Sequence, residues 1–280
     1  MRIAISNIAW DVSDDEAVAA LLRQYQVDAI DIAPGKYFPD PRRATLNDVR
    51  DVRHWWESHG IEITGMQALL FGTSGLNLFG DAAVRDAILA HLDAVCRIGA
   101  GFGATRLVFG SPKNRDRTGL SDIQAETLAI DFFRRLGDVA STYGVRICLE
   151  PNPPCYGANF MTTSAKTAAI VSQAAHPAIQ MQLDTGAMTI NGESAEHVIQ
   201  AYALLIGHIH ASEPNLVTLG DGGCDHHAVG QALNATLPEQ IVTIEMLAAK
   251  QALLLQAIER ALQVAIRYYR DDWTGNGVSV

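Results

Sequence analysis

Eight short β-branched runs, each followed by a longer amphipathic stretch, recur from one end of this chain to the other. The runs begin near Arg2 (RIAIS), Val27 (VDAIDI), Ile61 (IEITGMQ), Thr105 (TRLVFG), Val145 (VRICLE), Ile179 (IQMQLD), Gly207 (GHIHAS) and Ile241 (IVTIEM). Helical patterns lie between them, over 14–24, 46–59, 82–98, 123–143, 164–173, 195–204 and 228–235, and a last one covers 250–269. In that last stretch Leu254, Ile258, Leu262 and Ile266 recur at four-residue steps and mark one apolar face. Strands alternating with helices call for a parallel sheet, and eight such units match the size of a (β/α)8 TIM barrel. The competing doubly wound sheet carries a glycine-rich turn after its first strand. Here Ser6-Asn7-Ile8-Ala9-Trp10 follows, with no glycine. Gly101-Phe102-Gly103 comes before a strand rather than after one, so it reads as a helix stop and not as a nucleotide loop. The expectation is one α/β domain, a TIM barrel over 1–270, with a loosely ordered tail over 271–280.

A parallel barrel gathers its chemistry at the C-terminal ends of its strands. The fifth strand ends in Glu150, the sixth in Asp184, the seventh carries His210 and the eighth carries Glu245. A single carboxylate at a strand end is ordinarily a helix cap or a solvated charge. Four metal-competent side chains from four consecutive strands are harder to explain that way. Glu150 and Glu245 directly follow apolar runs, RICL and IVTI, where an unpaired charge is costly to desolvate. A divalent cation would offset three clustered carboxylates. An oxygen-rich set with one imidazole and no thiolate suits manganese, magnesium or cobalt, and zinc also accepts such ligands.

At these four positions the chain resembles the xylose-isomerase-like TIM-barrel superfamily, whose members include ketose 3-epimerases, sugar isomerases, inosose dehydratases and apurinic-site endonucleases. In the ketose 3-epimerases two glutamates are both metal ligands and the acid–base pair. The resemblance places Glu150 and Glu245 in that role and implies a metal-dependent sugar isomerase or epimerase working through a metal-stabilised enediolate. His210-Ala-Ser-Glu213-Pro-Asn215 also resembles the epimerase segment after the seventh strand. Two departures bear on substrate. Ala187 stands where the epimerases carry a substrate-binding histidine, and Leu216 where they carry an arginine. A second glutamate expected after the fifth strand is absent, with Tyr156 nearby. Two other readings stay open: a dehydratase of a keto-polyol on the same centre, and a non-catalytic sugar-binding barrel. The nuclease branch needs further histidines, and the corresponding regions hold Gln67, Gly110-Ser111, Ala187 and Leu216-Val217.

Further candidates surround this centre. Lys113 and Arg115 follow the fourth strand and could bind a carboxylate or phosphate on a derivatised sugar, or form a solvated turn. Asn7 and Gln67 end strands and could hydrogen-bond a polyol. Trp10 and Tyr156 could stack on a sugar face, or simply pack beneath loops. Glu213, Asn215 and His227 complete the expected pocket. Asp31 reads as a supporting or structural acid. Gly220-Asp221-Gly222-Gly223 reads as a tight turn.

Composition narrows the partners. Lys and Arg number 21 against 31 Asp and Glu, a net charge of −10, which argues against nucleic acid as a partner. No apolar run approaches a membrane span. Cys96, Cys148, Cys155 and Cys224 form no CxxC pair or metal spacing. Together these features suggest a cytoplasmic enzyme of a small sugar or sugar derivative, open to homo-oligomerisation.

Overall fold

The computed structural model describes residues 1–270; the tail expected over 271–280 lies outside the described residues. Eight parallel strands close into one barrel in sequence order. They are β1 Arg2–Ser6, β2 Ala29–Ile32, β3 Glu62–Met66, β4 Arg106–Phe109, β5 Arg146–Leu149, β6 Ile179–Asp184, β7 Ile206–Ser212 and β8 Ile241–Glu245. The helices outside them are α1 Asp15–Gln24, α2 Leu46–Ser58, α3 Ala82–Phe102, α4 Asp122–Thr142, α5 Ser164–Ala174, α6 Thr185–Asn191, α7 Ala195–Tyr202, α8 His226–Thr236 and α9 Leu254–Tyr269. The chain therefore forms the expected single TIM barrel.

Local chemistry starts and stops these helices. Thr45 with Asp48, and Ser121 with Gln124, form reciprocal capping boxes at the starts of α2 and α4. Asp81, Ser194 and Asp225 cap α3, α7 and α8 with single side-chain acceptors. Gly103, at φ +81°, ends α3 as the helix stop expected there, although the helix runs to Phe102 rather than to residue 98. Leu254, Ile258, Leu262 and Ile266 are all buried, so the apolar stripe of α9 faces the barrel. That helix begins at Leu254, four residues later than its pattern suggested, after a short 3-10 turn.

Helix α6 was not foreseen. Its seven residues follow the N-cap Asp184, whose Oδ1 accepts from the Ala187 N–H at 2.6 Å. A helix that short has little periodicity to read, and its cap is itself one of the expected metal ligands.

The strand register fixes what the barrel interior contains. Side chains two residues apart on a strand share a face. Cys148, Gln182, His208 and Thr243 therefore lie one layer beneath Glu150, Asp184, His210 and Glu245. Across the barrel wall Gln182 pairs with His208, and His210 pairs with both Asp184 and Thr243.

Candidate metal centre

The ends of β6, β7 and β8, and the residue just past β5, bring Glu150, Asp184, His210 and Glu245 together, all buried, with one ligand atom from each within 4.8 Å of the others. His210 Nδ1 lies 3.4 Å from Glu150 Oε1, 3.3 Å from Glu245 Oε2 and 3.9 Å from Asp184 Oδ2. Neither ring nitrogen of this fully buried histidine has a hydrogen-bond partner of good geometry among the described residues. The remaining carboxylate oxygens are tied down. Gln67 Nε2 donates to Glu245 Oε1 at 2.6 Å, and Asn152 Nδ2 donates to Glu150 Oε2 at 3.0 Å. Ser212 Oγ donates to Asp184 Oδ2 at 2.9 Å.

The electrostatics of the protein alone call for positive charge at this point. Burial, reinforced by Glu245 and Glu150, pushes Asp184 up to about 8. Burial opposes a charge on His210, but Glu245 and Glu150 outweigh it and raise the imidazole well above its ordinary value. Burial likewise works against the Glu245 carboxylate, yet His210 and Gln67 hold it below its ordinary range. A proton on His210 thus partly meets the demand that three carboxylates create. A divalent cation meets it more fully, and an oxygen-rich donor set with an orphaned imidazole fits one.

Beside these four side chains opens a cavity of about 530 Å³, within the range of small-molecule sites. Gln67, Lys113, Tyr156, Glu213 and Asn215 line it, as do Ala187 and Leu216. Their roles differ. Lys113 Nζ donates to the Thr73 carbonyl at 3.1 Å while facing the cavity. Tyr156 Oη accepts the Asn215 N–H at 2.6 Å and so joins two walls. The Glu213 carboxylate turns back into its own loop, where it accepts from the Gly220 and Cys224 N–H groups and pairs with His226 at 3.1 Å. Burial opposes ionisation of Glu213, but these donors outweigh it and hold it at about 2. The glycine turn over 220–223 is therefore pinned by Glu213.

Four expected pocket residues lie elsewhere. Arg115 is fully buried, with Nη1 donating to the Glu150 carbonyl at 2.7 Å and Nη2 to the Gly110 carbonyl at 3.1 Å. Burial lowers it to about 10 against the pull of Glu150. It braces the strand ends from within and offers no charge to a ligand. Trp10 is buried, donating to Asp15 at 2.7 Å and meeting Trp56 edge-on. Asn7 is buried with Oδ1 accepting the Ala33 N–H at 2.7 Å. His227 is exposed on α8 against Tyr268. For Trp10 the edge-on Trp56 gives the better-packed alternative, whereas His227 stays exposed.

Asn152 and Ser212 carried no expectation; Ser212 stands two residues beyond His210 on β7 and so shares its face, whereas Asn152 lies in the loop past β5, where no such period applies. Gly110 is the least visible contributor. A Cβ built there would stand 1.9 Å from Glu150 Oε2.

The family described as a xylose isomerase-like TIM barrel matches this chain over residues 19–271. The chain belongs to that family. A D-psicose 3-epimerase of Agrobacterium fabrum is 29% identical over 98 residues, which cover 35% of this chain and 34% of that protein. The alignment thus spans about a third of the curated relative. Among solved structures, a D-psicose 3-epimerase from Clostridium cellulolyticum H10, determined with D-tagatose, superposes with a TM-score of 0.80 at 19% identity, covering 96% of this chain and 99% of that one. The IolI protein, solved with a bound zinc atom, gives a TM-score of 0.73 at 18% identity, covering 96% of this chain and all of its own. At those identities the structural likeness speaks to the fold. Among the described residues no helix is long and apolar enough to cross a membrane.

Proposed function

We propose that this chain is a divalent-metal-dependent sugar isomerase or epimerase with Glu150 and Glu245 as its acid–base pair. The observation that carries this reading is the matched setting of the two glutamates. Each presents one oxygen to His210 Nδ1, at 3.4 and 3.3 Å, and has its other oxygen fixed by a side-chain amide. Two carboxylates so alike in reach and support suit a reaction that takes a proton at one face of a carbon and returns it at the other. The epimerases among the chain's relatives support the same class of chemistry.

Glu150, Asp184, His210 and Glu245 would hold the cation, with manganese, magnesium, cobalt or zinc all compatible with the donor set. Bound there, a divalent cation supplies Lewis-acid polarisation of neighbouring carbonyl and hydroxyl oxygens of a sugar. The chain's own groups do the rest. One glutamate removes the proton α to the carbonyl, and the C–H electron pair moves into a C=C bond as the carbonyl oxygen takes up charge. The other glutamate delivers a proton to the opposite face, and the carbonyl re-forms. Gln67 and Asn152 hold both carboxylates in line throughout.

Ala187 and Leu216 leave that side of the cavity without hydrogen-bonding side chains, so it is roomier than a pocket lined by histidine and arginine. The substrate we infer is a ketose or keto-polyol whose polar contacts concentrate at the carboxylate end. Incubating metal-loaded protein with such sugars in D₂O and following loss of C–H signals by NMR tests the assignment. Exchange at the carbon next to the carbonyl is the expected result; no exchange across neutral and derivatised ketoses would overturn it.

A further inference from the structure

Barrel interiors are usually filled by layers of bulky branched side chains, and the layer beneath this centre departs from that rule. Gln182, His208 and Thr243 are buried there, and Asp31, Thr64 and Arg106 are buried as well. At its middle, Asp31 Oδ2 accepts from His208 Nε2 at 2.6 Å and from Thr243 Oγ1 at 3.1 Å, while Oδ1 accepts from Thr64 Oγ1 at 3.1 Å. Those donors come from β7, β8 and β3, so one carboxylate on β2 ties together four strands. Burial opposes its ionisation, but His208 and Arg106 outweigh that and hold it at about 2.

Two further features give Asp31 this position. The β2–β3 register shifts between Ile30 and Asp31, the kind of irregularity that re-aims a side chain. Its neighbour in that register is Gly65, where a Cβ would stand 2.6 Å from Asp31 Oδ1. The carboxylate therefore occupies space that any other residue at 65 would fill.

What the pair faces is the ligand histidine. The His208 ring stands edge-on to His210, with centroids 4.6 Å apart and planes at 86°. One donor atom from each of Asp31, His208 and His210 lies within 4.8 Å of the others. Among the described residues neither His210 nitrogen has a hydrogen bond of good geometry to set the ring's rotation, so its orientation leans on what packs against the ring.

We propose that Asp31 and His208 are positioning residues for the metal centre: the anchored carboxylate fixes the His208 ring, and that ring fixes the angle at which His210 presents Nδ1. The inference rests on the four-ligand reading of the centre. Outer partners of ligating histidines typically matter 10- to 100-fold in metal affinity.

Co²⁺ titration of the full-length protein reads this directly, through its dissociation constant against a competing chelator and its ligand-field absorption. Asp31→Asn and His208→Gln should each weaken Co²⁺ binding about 10- to 100-fold and alter the absorption bands. Thr243→Val, which removes one donor to Asp31 with little change of shape, should weaken it a few-fold and keep the fold. A folded Asp31→Asn or His208→Gln protein with wild-type affinity and spectrum overturns the proposal, whatever its melting temperature. Where neither folds, unchanged binding by Thr243→Val overturns it. Asp184→Asn serves as the control for the centre. If wild-type protein binds Co²⁺ no better than Asp184→Asn does, the four-ligand reading fails instead, and this inference with it.

Discussion

Gly110 gives Glu150 its place: a side chain at 110 would put a Cβ 1.9 Å from Oε2 and 2.9 Å from Cδ of that carboxylate. The conflict is with the movable end of Glu150 rather than with backbone, and Gly110 does not occupy the left-handed region. Gly110→Ala should therefore fold with stability within about 1 kcal/mol of wild type, while swinging the Glu150 carboxylate away from His210. Divalent-metal affinity should fall at least ~10-fold, since displacing a ligand costs no less than the loss of an outer partner of one. Paired thermal melts and metal titrations check both halves. Wild-type metal affinity in this variant would show that Glu150 is not a ligand.

Glu150→Gln and Glu245→Gln separate metal binding from proton transfer. Each keeps the volume and one carbonyl oxygen but removes the proton acceptor. Solvent-proton exchange into substrate should drop by at least ~10² in each, the usual scale for a general acid or base. Exchange at the wild-type rate in a metal-loaded variant would remove that glutamate from the acid–base pair.

Glu213 makes the stability of the rim pH-dependent. Its folded value of about 2 lies below its ordinary 4.5, so its contribution is complete above pH ~4.5. It is lost as pH falls from there toward 2, where the folded form also takes up a proton. Glu213→Gln should cost about 1–2 kcal/mol at neutral pH, less than the full shift because the loop it anchors borders solvent. The gap from wild type should shrink as pH approaches 2. Denaturant melts at pH 7, 4 and 2.5 provide the comparison, and a gap independent of pH would show that the carboxylate's charge contributes nothing.

The barrel and its candidate ligand cluster were legible because strand and helix lengths alone carry Glu150, Asp184, His210 and Glu245 to one rim. Period-two alternation also points to His208 and Ser212, which share a face with His210. What the sequence withholds is the direction of a side chain in a loop. Lys113 and Arg115 sit two residues apart after β4, yet one faces the cavity and the other folds inward onto two carbonyls. Glu213 shows the same limit: it lines the cavity, but its oxygens serve a turn seven to eleven residues onward. Contacts made across the barrel, such as Asp31 to His208 over 177 residues, appear only once the sheet has closed.

The different settings of Lys113 and Arg115 lead to opposite outcomes for two conservative-looking changes. Arg115→Met removes both donors from the Glu150 and Gly110 carbonyls and leaves them buried, which should cost about 2–4 kcal/mol of stability. Lys113→Met strips only a partly solvated ammonium and should stay within about 0.5 kcal/mol of wild type. Ligand preference should divide the other way. Lys113 is the one Lys or Arg among the described residues lining the cavity, so any advantage of fructose 6-phosphate over fructose should vanish in Lys113→Met. It should survive in Arg115→Met protein that remains folded. Calorimetric titration of each metal-loaded protein with both sugars measures the ratio. An advantage that disappears with Arg115 and persists without Lys113 would mean that the guanidinium turns outward when an anion arrives.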